Sequence, residues 1–175
     1  DSVPPDQMHP LFDTIGKAAF AARVEGQDAL AVLQRLCAND VDVAAGRIVY
    51  SQMLNARGGI ESDLTVTRLS ETAFLLVVPA ATLQRDLNWL RRHLGDARAV
   101  VTDVSSGEAV LPVMGPRSRE LLSLVSPDDL SNDAFPFGTA REIEIGLGIA
   151  RAHRVSYVGE LGWELYVSAD QAAHV

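Results

Sequence analysis

The chain has 175 residues, of which 47% are hydrophobic and 22% charged, and its formal net charge is −8 at pH 7. This length and composition predict one folded, soluble domain and exclude general disorder. The negative charge, which no basic stripe interrupts, argues against nucleic acid and anionic membranes as partners. The apolar runs are too short to cross a bilayer and no secretory signal pattern is present, so we expect a cytoplasmic protein, or a mitochondrial-matrix one if the source is eukaryotic.

In the first half of the chain, strand patterns alternate with helical ones. Residues 1–10 contain three prolines and predict an irregular lead-in, after which KAAFAARVEG predicts a strand. Leu30, Leu33 and Leu36 recur at helical spacing in QDALAVLQRLCAN, which predicts a helix with one apolar face. The runs RIVYSQMLN, IESDLTVTRL and AFLLVV follow, and the short links ARGG and SET predict that they form a three-stranded meander.

The second half of the chain begins with a further helix. PAATLQRDLNWLRRHLG has a proline at its start and a glycine at its end, the usual helix boundaries. RAVVTDVS and EAVLPVMG predict one hairpin around SSG, and GPRSRELLSLV predicts a third helix behind Pro116. REIEIGLGIARAHRVSYVG and WELYVSA predict more strands. GLGIAR lacks the third glycine of a dinucleotide-binding loop and lies between strands, so it predicts a hairpin turn.

This order of elements, with connections too short for a fully parallel crossover sheet, predicts an α+β fold. We expect helices to pack on one face of an antiparallel or mixed sheet. The single cysteine, Cys37, excludes an internal disulfide framework, and its place on the apolar side of the first predicted helix favours a buried hydrophobic role. The four histidines are too dispersed for a metal-binding helix motif, so we expect no metal site.

Asp63 lies in the middle of the second strand of the meander. Strand alternation puts Asp63 on one face with Glu61, Thr65 and Thr67, and Leu64 on the other face. One interpretation is a strand face that is exposed to water. The other is a ligand cavity, because the neighbouring AFLLVV is apolar on both faces and little of such a sheet should face water.

The segment SYVGELGWELYV, residues 156–167, has two glycines within a strand pattern that is rich in aromatic residues. Glycine in a strand marks a bulge or a close backbone approach, so the segment predicts either a core hairpin or a wall that binds a ring. Alternation leaves Glu164 and Tyr166 on one face, where they would point toward the same cavity as Asp63. The opposite face carries Trp163, Leu165 and Val167.

A resemblance to a known family is carried by five segments in this order: MLNARGGIESDLTVTRL, FLLVV, LQRDLNWLRR, MGPRSRELL and SYVGELGWELYV. They resemble the tetrahydrofolate-binding aminomethyltransferase domain of the glycine-cleavage T-protein superfamily, and most of all the C-terminal half of sarcosine and dimethylglycine dehydrogenases. The resemblance implies a folate-binding domain over residues 11–175 with ferredoxin-like βαββαβ character. It also implies that this domain is C-terminally incomplete, because the family's tail-binding arginines and closing β domain would follow Val175.

The resemblance implies roles for four residues. Asp63 matches the aspartate of the family's GGxxxDL motif, which lies beside the reactive amines of tetrahydrofolate, and is the catalytic candidate. Tyr50 matches the tyrosine before MLN and is expected against the pterin. Tyr157 matches the motif tyrosine, and Glu164 matches the acidic residue that contacts the pterin ring. These three are the cofactor-binding candidates, with tetrahydrofolate as the cofactor.

Two features separate the branches of this superfamily, and the first of them favours the dehydrogenase branch over the glycine-cleavage one. Pro79 stands directly after the apolar strand, where T-proteins typically have an asparagine that contacts folate. The related iron–sulfur assembly proteins carry a cysteine-containing motif where this chain has SYVGELGWE, so Cys37 as the only cysteine argues against that branch.

The resemblance implies one-carbon transfer as part of a larger enzyme. An FAD-containing amine dehydrogenase module, on the same or an associated chain, would oxidise a small amine to an iminium or formaldehyde, and tetrahydrofolate would capture the carbon as 5,10-methylenetetrahydrofolate. We expect the isolated segment to be inactive. In the T-protein alternative, the donor is an aminomethyl group on a lipoyl carrier protein. In a second alternative, the domain is a non-catalytic structural or folate-binding module.

Overall fold

A computed structural model describes residues 19–175. The predicted lead-in at residues 1–10 and the predicted domain start at residue 11 lie outside the described residues. Within the described range the chain forms nine strands in two sheets, and all the strand pairs are antiparallel. The predicted α+β class is therefore confirmed, with the antiparallel rather than the mixed form of the sheet. No helix in this range is long and apolar enough to span a membrane.

The first sheet is made of five strands from the first part of the chain. They are β1 (Ala19–Glu25), β2 (Ile48–Leu54), β3 (Ile60–Arg68), β4 (Ala73–Pro79) and β5 (Val100–Asp103), in the order β2-β3-β4-β1-β5. The helices α1 (Ala29–Leu36) and α2 (Leu83–Arg92) pack on one face, and a short 3-10 turn leads into α2. Apart from the edge strand β2, the elements follow one another along the chain as β1-α1-β3-β4-α2-β5. This is the ferredoxin-like βαββαβ connection that the resemblance implies, and its four strands lie in the sheet in the order β3-β4-β1-β5.

The second sheet is made of the remaining strands. They are β6 (Glu108–Met114), β7 (Ala140–Ile145), β8 (Gly148–His153) and β9 (Gly162–Ser168), in the order β6-β9-β8-β7. The short helix α3 (Ser118–Ser123) follows β6, as predicted after Pro116. β7 and β8 pair across a turn at residues 146–147, which confirms the hairpin predicted for GLGIAR.

The predicted hairpin between the fifth and sixth strands is wrong. β5 pairs with β1 in the first sheet, whereas β6 pairs with β9 in the second. Backbone hydrogen bonds show where the chain changes sheet: the N–H of Val104 still donates to Ala21, but the carbonyl of Gly107 already accepts from Ala169. The chain does turn at SSG, as predicted, but this turn connects a strand of the first sheet to a strand of the second.

Cys37 also differs from its prediction. It follows the last residue of α1, has an extended conformation, and forms an isolated bridge with Met53 of β2. Its thiol is half-buried against the core of the first sheet, and this burial raises the pKa of the Cys37 thiol to about 11. Cys37 thus packs against the core as a hydrophobic residue, but it is half-buried instead of buried and lies just outside the helix.

Three clusters of buried side chains hold the two sheets and the helices together. The largest lies between the first sheet and its helices and includes Leu33, Leu64, Phe74, Leu76 and Leu87. The second covers the far face of the second sheet and includes Leu122, Phe135, Ile143, Trp163 and Leu165. The third joins the facing sides of the two sheets through Ala21, Leu75 and Tyr166. The face of the first sheet that carries no helices therefore faces the second sheet.

Two isoleucines of the β7–β8 hairpin, one buried and one exposed, allow the packing of the second core to be tested. Ile143 is 2% exposed in the second core, whereas Ile149 is 58% exposed. Because Ile143→Val removes a buried methyl group, we expect it to lower the free energy of unfolding by about 0.5–1.5 kcal/mol. Ile149→Val is the matched control and should stay within about 0.5 kcal/mol of the parent in urea denaturation. Equal losses at both positions would contradict the described packing.

Candidate functional site

The β2–β3 hairpin presents three polar side chains on one face. Gln52 lies directly opposite Asp63, and Tyr50 lies opposite Thr65 one pair further along. Paired residues of antiparallel strands point to the same side, so Tyr50 is a diagonal neighbour of Asp63. The side-chain amide Nε2 of Gln52 donates a hydrogen bond to Asp63 Oδ1 at 3.0 Å.

Tyr50 completes this group. Its side chain is 58% exposed, and hydrogen bonding to the Asp63 carboxylate is the main cause that raises the pKa of the Tyr50 phenol. Burial and the negative charge of Asp63 act in the same direction, and a hydrogen bond with Gln52 acts in the opposite one. The structure therefore brings Tyr50 and Asp63 together, and both remain accessible from outside.

Asp63 lies at the point where the ladder between β3 and β4 ends. The last pair on this side is Thr65 with Val77, and Pro79, two residues beyond Val77, has no N–H with which to continue. Asp63 is exposed, as the water-facing interpretation predicts. The same face is covered by the second sheet only further along, where Leu75 meets Tyr166. Asp63 thus lies at an open end of the covered face.

Glu164 lies on the facing side of the second sheet. Trp163 and Leu165 point into the second core, so the alternation predicted for β9 is confirmed, and Glu164 shares the opposite face with Tyr166. The Tyr166 hydroxyl donates a hydrogen bond to Glu164 Oε2 at 2.9 Å. Burial raises the pKa of the half-buried Glu164 carboxyl, and the bond from Tyr166 opposes that rise.

His153 lies directly opposite Glu164 on β8, and its ring packs against that of Tyr166 at a tilt of 36°, with 4.3 Å between centroids. Its Nε2 atom is buried and has no hydrogen-bond partner among the described residues. Burial, helped by the positive charge of Arg151, lowers the pKa of His153 to about 3. His153 and Tyr166 therefore form a pair of buried rings beside Glu164 on this face.

Tyr157 is not held near the other candidates. It is 92% exposed, within the connection at residues 154–161 between β8 and β9. Among the residues that the structure describes, no hydrogen bond joins Asp63 or Tyr50 to Glu164 or Tyr157. Two clefts, of about 400 and 530 Å³, lie elsewhere and include none of these four residues.

Sequence reasoning missed Gln52, Tyr166 and His153 as neighbours of the candidate residues. Gln52 is two residues from Tyr50 in one strand, so alternation alone places both on one face, but its pairing with Asp63 depends on the hairpin register. Tyr166 was placed on the face of Glu164, whereas its hydrogen bond to that carboxylate needed the structure. No local pattern marks His153 as buried.

The family of the chain follows from a comparison with known proteins. A family model described as the GCVT N-terminal domain matches residues 11–175. The chain is 46% identical to the 4-methylaminobutanoate oxidase (formaldehyde-forming) of Paenarthrobacter nicotinovorans, over 94% of this chain and 20% of that protein. It is 39% identical to the mitochondrial sarcosine dehydrogenase of Mus musculus, over 81% of this chain and 17% of that protein. The chain thus spans a fifth or less of the length of these curated relatives.

A solved structure agrees with the family match. The glycine cleavage system aminomethyltransferase T from Bartonella henselae superposes with a TM-score of 0.76 and 27% identity, over 89% of this chain and 41% of that one. Aminomethyltransferases are also among the sequence relatives, as is a regulatory subunit of pyruvate dehydrogenase phosphatase. The predicted resemblance is confirmed, and the chain belongs to the GCVT N-terminal domain family together with aminomethyltransferases and sarcosine dehydrogenases.

Proposed function

We propose that the chain is the folate-binding part of an enzyme that transfers a one-carbon unit to tetrahydrofolate and forms 5,10-methylenetetrahydrofolate. The observation that carries this proposal is the exposed Asp63 carboxylate, which Gln52 holds through a 3.0 Å hydrogen bond and to which Tyr50 is a diagonal neighbour. A carboxylate fixed in this way at an open surface is suited to bind and deprotonate an amine. Membership of an aminomethyltransferase family supports this chemistry.

The residues present fit tetrahydrofolate by the chemistry of their side chains. The pterin ring offers N–H donors, and Asp63 and Glu164 are hydrogen-bond acceptors on the two sheet faces that point toward each other. Tyr50 and Tyr157 offer exposed rings with polar tips. The chemistry that tetrahydrofolate supplies when bound is the capture of a one-carbon unit by its amines.

In this proposal the chain supplies position, charge and a place for one proton. Asp63 accepts a hydrogen bond from the attacking amine, stabilises the positive charge that develops there, and takes the proton on its carboxylate. Tyr50, Tyr157 and Glu164 bind and orient the ring, which makes the reacting groups meet in one geometry. Tyr166 keeps the Glu164 carboxylate in place through its 2.9 Å hydrogen bond.

The relatives favour an amine-oxidising enzyme as the source of the carbon. One relative is named as a formaldehyde-forming oxidase and another as a sarcosine dehydrogenase, at 46% and 39% identity. We therefore propose that an FAD-containing module, on the same or an associated chain, oxidises a small N-methylated amine. The mitochondrial relative supports a matrix location in a eukaryotic source, and otherwise we propose a cytoplasmic one. The T-protein alternative would use an aminomethyl group on a carrier protein.

Calorimetry with tetrahydrofolate tests the binding half of this proposal. We expect the full-length protein to bind tetrahydrofolate, and Glu164→Gln to weaken binding about 10- to 100-fold, since a hydrogen bond to a charged group is worth about 1.5–3 kcal/mol. Glu144→Gln, at an exposed position of β7, is the matched control and should bind like the parent. A parent protein that binds no tetrahydrofolate would leave a structural module as the better account.

A further inference from the structure

We propose that Gln52 is a positioning residue for the reaction, because it holds one oxygen of Asp63 and leaves the rest of the carboxylate to Tyr50 and the ligand. The inference rests on the proposed function and adds a residue that neither the sequence motif nor the family match identifies. Its basis is the direct cross-strand pair of Gln52 with Asp63 and the 3.0 Å bond from Nε2 to Oδ1.

Gln52 is held in place by its surroundings whereas Asp63 is not, and this difference allows Gln52 to position the Asp63 carboxylate. Asp63 is exposed, and β4 does not pair with it, so the fold itself does not restrict rotation of its carboxylate. Gln52 is half-buried, and its strand neighbours Ser51 and Met53 are both fully buried on the core side. The strand is therefore fixed on both sides of Gln52. An exposed side chain loses its rotational freedom only when such a partner holds it.

The chemistry of an amide suits this task. The Gln52 amide donates a hydrogen bond without carrying a charge, so it fixes the Asp63 carboxylate and leaves the negative charge available to an amine. An arginine or lysine at the same place would form an ion pair and compete with that amine. Tyr50 lies on the same strand face, two residues from Gln52 and diagonal to Asp63, and both partners act on the pKa of its phenol. The three side chains therefore form one coupled group.

The test is Gln52→Leu in the full-length protein, which keeps the side-chain size and removes the donor. With saturating amine and tetrahydrofolate, we expect methylene transfer to fall about 10- to 100-fold, the cost typical of a misplaced catalytic group, while the KM for folate changes less than about threefold. Gln84→Leu, at an exposed position of α2, is the matched control and should keep both values. Melting temperatures of the two variants should agree.

A second variant separates positioning from a structural role. Gln52→Glu places a second carboxyl against Asp63, and two neighbouring carboxylates repel when both are charged but share a proton at mildly acidic pH. We expect its activity relative to the parent to be lowest above pH 8 and to recover as the pH falls toward 5. A side chain that only supports folding would give a ratio that does not depend on pH, which would overturn the inference.

Tyr50 gives a readout that needs no enzyme activity. Since Asp63 raises the pKa of Tyr50 and Gln52 lowers it, ring-carbon NMR titration should show a higher Tyr50 pKa in Gln52→Leu and a lower one in Asp63→Asn. An unchanged Tyr50 in both variants would overturn the coupled group. An impaired Asp63→Asn beside a fully active Gln52→Leu would overturn this inference alone, whereas full activity of Asp63→Asn would overturn it together with the proposed function.

Discussion

Asp63→Asn in the full-length protein should cut methylene transfer about 10²- to 10⁴-fold, the range typical for loss of a general acid or base. Asparagine keeps the size of the side chain and can still accept a hydrogen bond from Gln52, but it carries no charge and takes up no proton. The developing positive charge on the amine then has no counter-charge at this position. The measurement is 5,10-methylenetetrahydrofolate formation with saturating amine and folate.

Stability and folate affinity should change much less than the rate. Asp63 is exposed, so its substitution should shift the free energy of unfolding by no more than about 0.5 kcal/mol. Asp96→Asn, at another exposed aspartate, controls for the general effect of losing one charge. If Asp63 only occupies a strand face that is open to water, both variants should keep full turnover, and the catalytic assignment would be lost.

Acid should destabilise the fold through His153, which is 1% exposed and whose pKa is lowered to about 3 by burial and by Arg151. In the unfolded chain a histidine takes up its proton near pH 6.5. Between pH 6.5 and 3 the unfolded state therefore binds more protons, so the stabilisation is complete above pH 6.5 and is lost as the pH falls. At about 1.4 kcal/mol per pH unit, this loss reaches about 2–3 kcal/mol by pH 4.5.

The variant that isolates this effect is His153→Phe, which keeps a ring against Tyr166 and removes the unpartnered Nε2 atom. Urea denaturation of the parent should show a steep loss of stability from pH 6.5 to 4.5, and the variant a much shallower one. The raised pKa of Glu164 makes the fold more stable as the pH falls, but Glu164 is present in both the parent and His153→Phe and therefore does not affect the comparison. His174→Gln, at an exposed histidine, should follow the parent; a parallel slope in His153→Phe would contradict the prediction.

The sequence predicted those parts of the fold that depend on local alternation. In β3, Leu64 and Val66 point into the core while Asp63 is exposed, and in β9 Trp163 and Leu165 point away from Glu164. The two-residue period of a strand determines which side chains share a face, and it can be applied without knowing which strands lie beside it. α1 was predicted in the same local way, since its apolar side chains repeat with the period of a helix, and α2 from the proline and glycine that bound it.

The features that the sequence did not predict depend on partners far along the chain. A turn separates β5 from β6, but the two strands pair with β1 and β9, which belong to different sheets and lie far along the chain from them. Gln52 contacts Asp63 because the register of the β2–β3 hairpin places them opposite each other. This register includes an irregularity between Met53 and Leu54, which no turn motif in the sequence predicts. His153 packs against Tyr166 of β9, which lies in one buried cluster with Leu75 of the first sheet, and a single histidine in the sequence does not reveal this tertiary environment.

We propose that Asp63 and Glu164, which lie on the sheet faces that point toward each other, bind one folate between them. The most direct measurement is a crystal structure of the full-length protein with bound tetrahydrofolate. We expect an amine of the folate within about 2.7–3.2 Å of the Asp63 carboxylate, and the pterin ring bound by Glu164 beside Tyr50. Folate bound at another surface, or bound with Asp63 still facing only water, would contradict it.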